Sequence, residues 1–148
     1  MSTLTFEPIH APFWQATEGS LRPHFAVLIE ANDSCIQHPA LLAIDQQASD
    51  SGKFAIFDGR PIAVYDAFAT GTASRRLAAA LDVCHNLALL HEHGCSPRAL
   101  SLNSLVFEEG RLLIVPVGPA LTGALRQHDA HRLCATLLEI FGGRLGET

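Results

Sequence analysis

Leu81-Asp82-Val83-Cys84-His85-Asn86-Leu87-Ala88-Leu89-Leu90-His91-Glu92-His93-Gly94, followed by Cys95-Ser96-Pro97-Arg98-Ala99-Leu100 and Ser101-Leu102-Asn103-Ser104, leads into Leu105-Val106-Phe107 and Leu112-Leu113-Ile114-Val115-Pro116-Val117-Gly118. This stretch decides the architecture. Leu77, Leu81, Cys84 and Leu90 recur at helical spacing, and Ala78, Val83 and Leu87 widen the stripe, which predicts a helix over about Ala73 to His93. Thr72 or Ser74 can cap its start and Gly94 can end it. His91 and His93 fall in its last turn, where the helix dipole favours a cation. Two short apolar runs then flank Glu108-Glu109-Gly110, which predicts an antiparallel hairpin with the glycine at a left-handed turn position.

Upstream, Leu4 to Ile9, Phe13 to Thr17 and Phe25 to Ile29 carry the β-branched and aromatic weight of strands, with a turn at Glu18-Gly19-Ser20. Glu30 to Gln37 leaves room for at most one helical turn, because Asn32-Asp33-Ser34 are poor helix-interior residues. Gln46 to Gly52 reads as a polar turn. Lys53 to Phe57 and Pro61 to Tyr65 flank Asp58-Gly59, a hairpin signal. Downstream, His128 to Gly143 predicts a second helix with apolar residues on several sides, as for a helix surrounded by protein.

A chain of 148 residues, 48% of them apolar, is long enough for one compact domain with a real core. The formal net charge of -5, with ten Lys and Arg, offers no basic face for a phosphate backbone, so nucleic acid is not an expected partner. The start Met1-Ser2-Thr3-Leu4 lacks the cationic and apolar regions of a secretory signal. No apolar run approaches the roughly 20 residues that span a bilayer, so no membrane is expected. Cys35, Cys84, Cys95 and Cys134 are scattered rather than framework-spaced, and a reduced cytoplasmic setting is the expectation.

The order of these elements resembles the protein kinase family, loosely and with gaps, from Trp14 to Gly143. Leu90-His91-Glu92-His93-Gly94 and the Arg98-Ala99-Leu100 loop resemble the family's catalytic loop. Val117-Gly118 resembles its metal-binding turn, and His38-Pro39-Ala40-Leu41-Leu42 is similar to its entry into the fourth strand. Ala63 to Thr72 is similar to its hinge, and His128-Asp129 through Phe141-Gly142-Gly143 to its buried helix. The resemblance implies an α+β fold: a minimal protein-kinase-like fold with a reduced antiparallel sheet of four or five strands (residues 1–68), a hinge at Asp66 to Gly71, and a truncated helical part with a β-hairpin (residues 72–143).

The same resemblance implies that the chemistry is missing. Leu28 stands where the family has its phosphate-pairing lysine, and His10-Ala11-Pro12-Phe13 supplies no glycine-rich phosphate cover. Pro97-Arg98-Ala99 replaces His-Arg-Asp, so the catalytic aspartate is alanine. Ser104 falls on the metal-binding asparagine, with Asn103 one position early, and Pro116-Val117-Gly118 replaces Asp-Phe-Gly. Phosphoryl transfer depends on positioning and charge neutralisation by these groups. Their joint absence implies no catalytic residues, no cofactor and no phosphotransferase activity. Ten residues between Gly118 and Asp129 leave no room for an activation segment, and the family's remaining large-lobe helices are not expected.

The residues themselves bear on other chemistries. Arg98 can be a retained ligand contact, but an arginine fork more commonly pairs with a carboxylate or carbonyl. Asp129 matches the family aspartate that accepts hydrogen bonds from the catalytic loop, and its simpler role is a helix N-cap. For metal, His91 and His93 lie about 200° apart on a helix, and only His128 and His131 could share a face. Neither Cys-x-x-Cys nor His-Glu-x-x-His occurs, so no metal site is expected. Cys95 sits at a helix C-terminus, where the dipole opposes a thiolate, and Cys84 and Cys134 fall on apolar faces, which makes them core residues. Ser101 and Ser104 lack a nucleophile elbow.

The expected function is that of a catalytically inactive, pseudokinase-like domain binding another protein, or a second copy of itself, through apolar helical surface in a regulatory or scaffold role. His91, Gly94 and Asp129 are structural in this reading. The alternatives are a sensor or atypical transferase holding a nucleotide or small ligand in the cleft, and an unrelated small α+β chaperone or immunity-type binding protein. A bound nucleotide is not expected from the missing phosphate-binding groups.

Overall fold

The computed structural model describes residues 5–10, 13–17, 24–30, 32–35, 43–49, 52–57, 72–108 and 111–142. The fold is α+β. Among the described residues, six strands precede a first helix: β1 (Thr5–His10), β2 (Phe13–Thr17), β3 (His24–Ile29), β4 (Asp33–Cys35), β5 (Ala43–Ser49) and β6 (Gly52–Phe57). Helix α1 (Ala73–Glu92) leads through a loop and the 3-10 turn Leu102–Ser104 to β7 (Leu105–Glu108), β8 (Arg111–Ile114), β9 (Val117–Pro119) and helix α2 (Gly123–Ile140).

Five strands make one antiparallel sheet in the order β1-β2-β3-β6-β5, while β4 pairs with β9 and β7 with β8. Side-chain alternation sorts this sheet into two faces. Phe25 opposite Phe57 and Val27 opposite Ala55 join one buried cluster, whereas Ala26 opposite Ile56 lies in a second cluster with Phe54, against which Leu28, Trp14 and Phe6 pack. Stacked rings at Phe25 and Phe57, with centroids 5.1 Å apart, and at Phe6 and Phe54, 4.3 Å apart, knit the strands laterally.

The β7–β8 hairpin is the middle layer. Val106 and Leu113 turn toward the sheet cluster, while Leu105, Leu112 and Ile114 turn toward Val83, Leu87 and Leu90 of α1 and Ile140 of α2. A strand with both faces covered reads as a continuous apolar run, which is how Leu112-Leu113-Ile114-Val115 is written. Complete burial of each such side chain contributes about 1.5–3 kcal/mol.

Several expectations meet local corrections. The Ala43–Ser49 segment is a strand, so Gln46 to Ser49 is not a turn. Its polar residues fit an edge strand, with Gln46 and Ala48 exposed. Both edges of β6 are taken, by β3 and β5, so its hairpin partner lies upstream. Asp58-Gly59, Pro61 to Tyr65, the expected hinge at Asp66 to Gly71 and His38 to Leu42 lie outside the described residues. Asp33-Ser34-Cys35, where at most one helical turn was expected to fit, forms β4. Helix α2 begins at Gly123, ahead of the expected His128, because Thr122 caps it by accepting from Leu125 N at 3.1 Å. The low helix propensity of Gly123 hides that start in the sequence. Helix α1 starts where expected, with Thr72 Oγ1 accepting from Arg75 N, and Gly94 follows its end at φ 73°.

The chain after α1 is clasped against β9. Ser96 N donates to Pro119 O and Arg98 N to Val117 O, both at 2.9 Å, and Leu121 N donates to Gly94 O at 2.8 Å. This closeness requires glycine at 118. A Cβ there would lie 1.8 Å from Ser96 O and 2.7 Å from Arg98 N. Gly118→Ala is therefore expected to lose both clasping hydrogen bonds and cost about 2–4 kcal/mol. Thermal unfolding should show a fall of about 5–15 °C. A melt within about 2 °C of the parent contradicts the close approach.

Candidate functional site

The loop from Gly94 to Ser104 carries Gly94, Pro97, Arg98, Ala99 and Ser104 of the singled-out residues, and two charge clusters hold it. The first is centred on Asp129, which is fully buried in α2. Ser96 Oγ, from the loop, donates to Asp129 Oδ2 at 2.8 Å, and His91 Nε2, from the end of α1, meets the same oxygen at 2.8 Å. Arg132, one turn further along α2, donates to Asp129 Oδ1 and also reaches the loop, with Nη2 on Pro97 O at 2.6 Å and Nη1 on Arg98 O at 3.0 Å. One carboxylate thus ties α1, the loop and α2 together. Asp129 is the seventh residue of its helix and does not cap it. Its contacts with the loop run through the Ser96 hydroxyl and through Arg132 rather than through loop amides.

Burial alone would raise the Asp129 pKa. The hydrogen bonds from Arg132, His91 and Ser96, with the charge of Arg132, outweigh burial and hold it below the ordinary carboxylate value.

The second cluster surrounds Arg98. Its Nε donates to both carboxylate oxygens of Asp33 at 2.8 Å, its Nη2 donates to Asp33 Oδ1, and its Nη1 lies 3.1 Å from Glu30 Oε2. Asp33 also accepts from Glu30 N at 3.0 Å, which fixes the turn entering β4. The bond to Asp33 raises the Arg98 pKa further, against a smaller opposing effect of burial. Arg98 is therefore paired with carboxylates on the sheet side of the molecule, and its fork geometry suits that role.

The remaining singled-out residues fall around these clusters. The Ser104 hydroxyl is buried and closes the 3-10 turn, donating to Ser101 O at 3.0 Å and accepting from Ser101 N at 2.9 Å. Pro97, Pro116, Val117 and Gly118 are buried, and Ala99 is half-buried. Leu28, on β3 opposite Phe54, is half-buried.

Leu28 and Ala99 meet across a cavity of about 390 Å³ between the sheet and the loop. Phe13, Trp14 and Val27 complete its sheet wall, Val115 and Val117 its floor, and Glu30 and Arg98 supply its charged groups. Leu28, Arg98, Ala99 and Val117 are marked as site positions in the sequence by the resemblance, whereas Trp14 and Glu30 are not. No local motif marks those two; they join the site because β2, β3 and the loop converge.

Of the cysteines in the described helices and loop, Cys95 is buried, with its thiol 3.8 Å from Gly118 O. Cys84 is half-buried, and burial, with Cys134 nearby, raises its pKa. Cys134 is exposed, which corrects its expected place in the core. Among the described residues no three His, Cys, Asp or Glu side chains converge to hold a metal ion. No helix of the described residues is long and apolar enough to cross a membrane. No family model matches this chain, and no curated protein is similar enough in sequence to match it.

The Asp129 cluster yields a prediction with a defined pH dependence. Asp129→Asn puts amide hydrogens against Arg132, His91 or Ser96, and is expected to cost about 2–4 kcal/mol near pH 7. A carboxyl whose folded pKa is depressed stabilises above its unfolded value of about 3.9, and that contribution fades as pH falls through the folded value. The gap between parent and variant in denaturant unfolding should therefore begin to narrow below about pH 4 and close only as pH falls through the lower folded value. A gap that stays constant from neutral to acid pH contradicts the assignment.

Proposed function

We propose that this chain is a catalytically inactive, kinase-like domain that works by binding another protein. The element order of sheet, long helix, loop, hairpin and capped second helix supports the kinase-like reading. So do the positions of Leu28 and Ala99, which line the cavity without offering the amine or carboxylate that phosphoryl transfer would need there.

The observation that carries the binding role is an apolar strip along the outer side of the two helices. Arg76 of α1 packs against Gly142 at the end of α2, and His91 at the other end of α1 meets Asp129. The helices thus run antiparallel, and Leu77 comes level with Phe141 and Leu81 with Leu138 to within about one turn. Leu77 and Leu81 lie about 120° and 160° from the direction of buried Val83 on α1, and Phe141 and Leu138 about 120° and 180° from that of buried Asp129 on α2, so both pairs face outward from the core. These four are 54%, 47%, 52% and 41% exposed, in the order Leu77, Phe141, Leu81 and Leu138. Clustered exposure of large apolar side chains marks an interaction surface, whereas isolated ones do not.

A photo-crosslinking amino acid placed at Leu81 or Leu138 is expected to capture a discrete protein in cells, either a second copy or a different chain, while the same group at exposed Gln15 does not. Equal yields from all three positions, or no adduct together with a monomer at every concentration by light scattering, count against the reading.

A further inference from the structure

We propose that the cavity between β1–β3 and the loop after α1 binds a flat aromatic small molecule carrying one cationic group, and disfavours phosphate-bearing ligands. This goes beyond the protein-binding reading and stands on different residues.

The shape of the cavity supports a ligand. Its volume of about 390 Å³ falls within the range of small-molecule sites, and its walls are mostly aromatic and aliphatic. Two of those walls are held rigidly. Phe13 packs edge-on against Phe25 with centroids 5.7 Å apart, and Trp14 against Phe54 at 5.1 Å. Rings already fixed by the core lose little freedom when a ligand stacks on them.

The charge of the cavity selects the class. Among the described residues Arg98 is the one cation lining it, and its fork is spent on buried Asp33, with Glu30 beside it. A phosphate would have to displace a bidentate carboxylate and sit against two negative charges. Two carboxylates around one guanidinium leave the rim negative, and Glu30, whose side chain is 55% exposed, can turn toward a ligand. An amine attached to an aromatic ring therefore meets Glu30 while its ring lies against the aromatic and aliphatic wall that includes Trp14 and Leu28.

Trp14 is the chain's single tryptophan, so 5-fluorotryptophan labelling gives one fluorine resonance located in the site. Titration with 1-naphthylmethylamine is expected to shift that resonance saturably, with half-saturation below about 1 mM. Naphthalene-1-sulfonate should bind at least about fivefold more weakly, and ATP should leave the resonance in place. Glu30→Gln is expected to weaken the amine severalfold while leaving 1-naphthalenemethanol unchanged. Ala99→Phe, which fills the cavity, should abolish both.

No saturable shift with the amine, a sulfonate that binds as tightly as the amine, or Ala99→Phe binding like the parent with an intact melt would overturn the proposal. Should Ala99→Phe fail to fold, the Glu30→Gln comparison decides: equal loss of amine and alcohol overturns the charge assignment.

Discussion

A fully buried carboxylate, Asp129, is the constraint on which the arrangement of the helices and the loop depends. A carboxylate removed from water is costly unless its lone pairs are met, and here donors come from three separate segments. Because Ser96, His91 and Arg132 share one acceptor group, the loop cannot shift without leaving charge or hydroxyl unpaired in the interior. Arg132 extends the restraint by holding the carbonyls of Pro97 and Arg98. The loop thereby presents Arg98 toward Asp33 and Glu30, and Ala99 toward the cavity. The cluster thus braces the loop side of the cavity's rim.

Packing works in the same direction. The β7–β8 hairpin lies between the sheet and the helices, so the two buried clusters share one two-stranded layer. Gly118 then allows the loop to lie directly on β9, and β9 in turn pairs with β4, where Asp33 resides. The two charge clusters are therefore connected by backbone pairing as well as by side chains.

Much of this architecture could be read in the residues, because its signals are local. The periodicity of Leu81 to Leu90, the glycine after His93 and the apolar pairs around Glu108-Glu109-Gly110 placed helix, stop and hairpin close to where they lie. The strand at Ala43–Ser49 was obscured by its polar composition, since an edge strand is chosen by pairing with β6 rather than by apolar content. The start of α2 was obscured because Gly123 follows its cap. At the site, Arg98 and Asp129 are marked in the sequence only by their places in the resemblance, Arg98 in Pro97-Arg98-Ala99 and Asp129 near the start of the second helix. Their partners Asp33, Glu30 and Ser96 are far away in sequence, and such pairings arise only when strands and loop converge.

The most direct test of the Asp129-centred account is a double-mutant cycle between Ser96→Ala and Asp129→Asn, with stability measured by denaturant unfolding at pH 7. If the shared hydrogen bond joins loop to helix, the two losses couple by about 1 kcal/mol or more. Losses that add to within about 0.5 kcal/mol would contradict it, because independent sites add in that way.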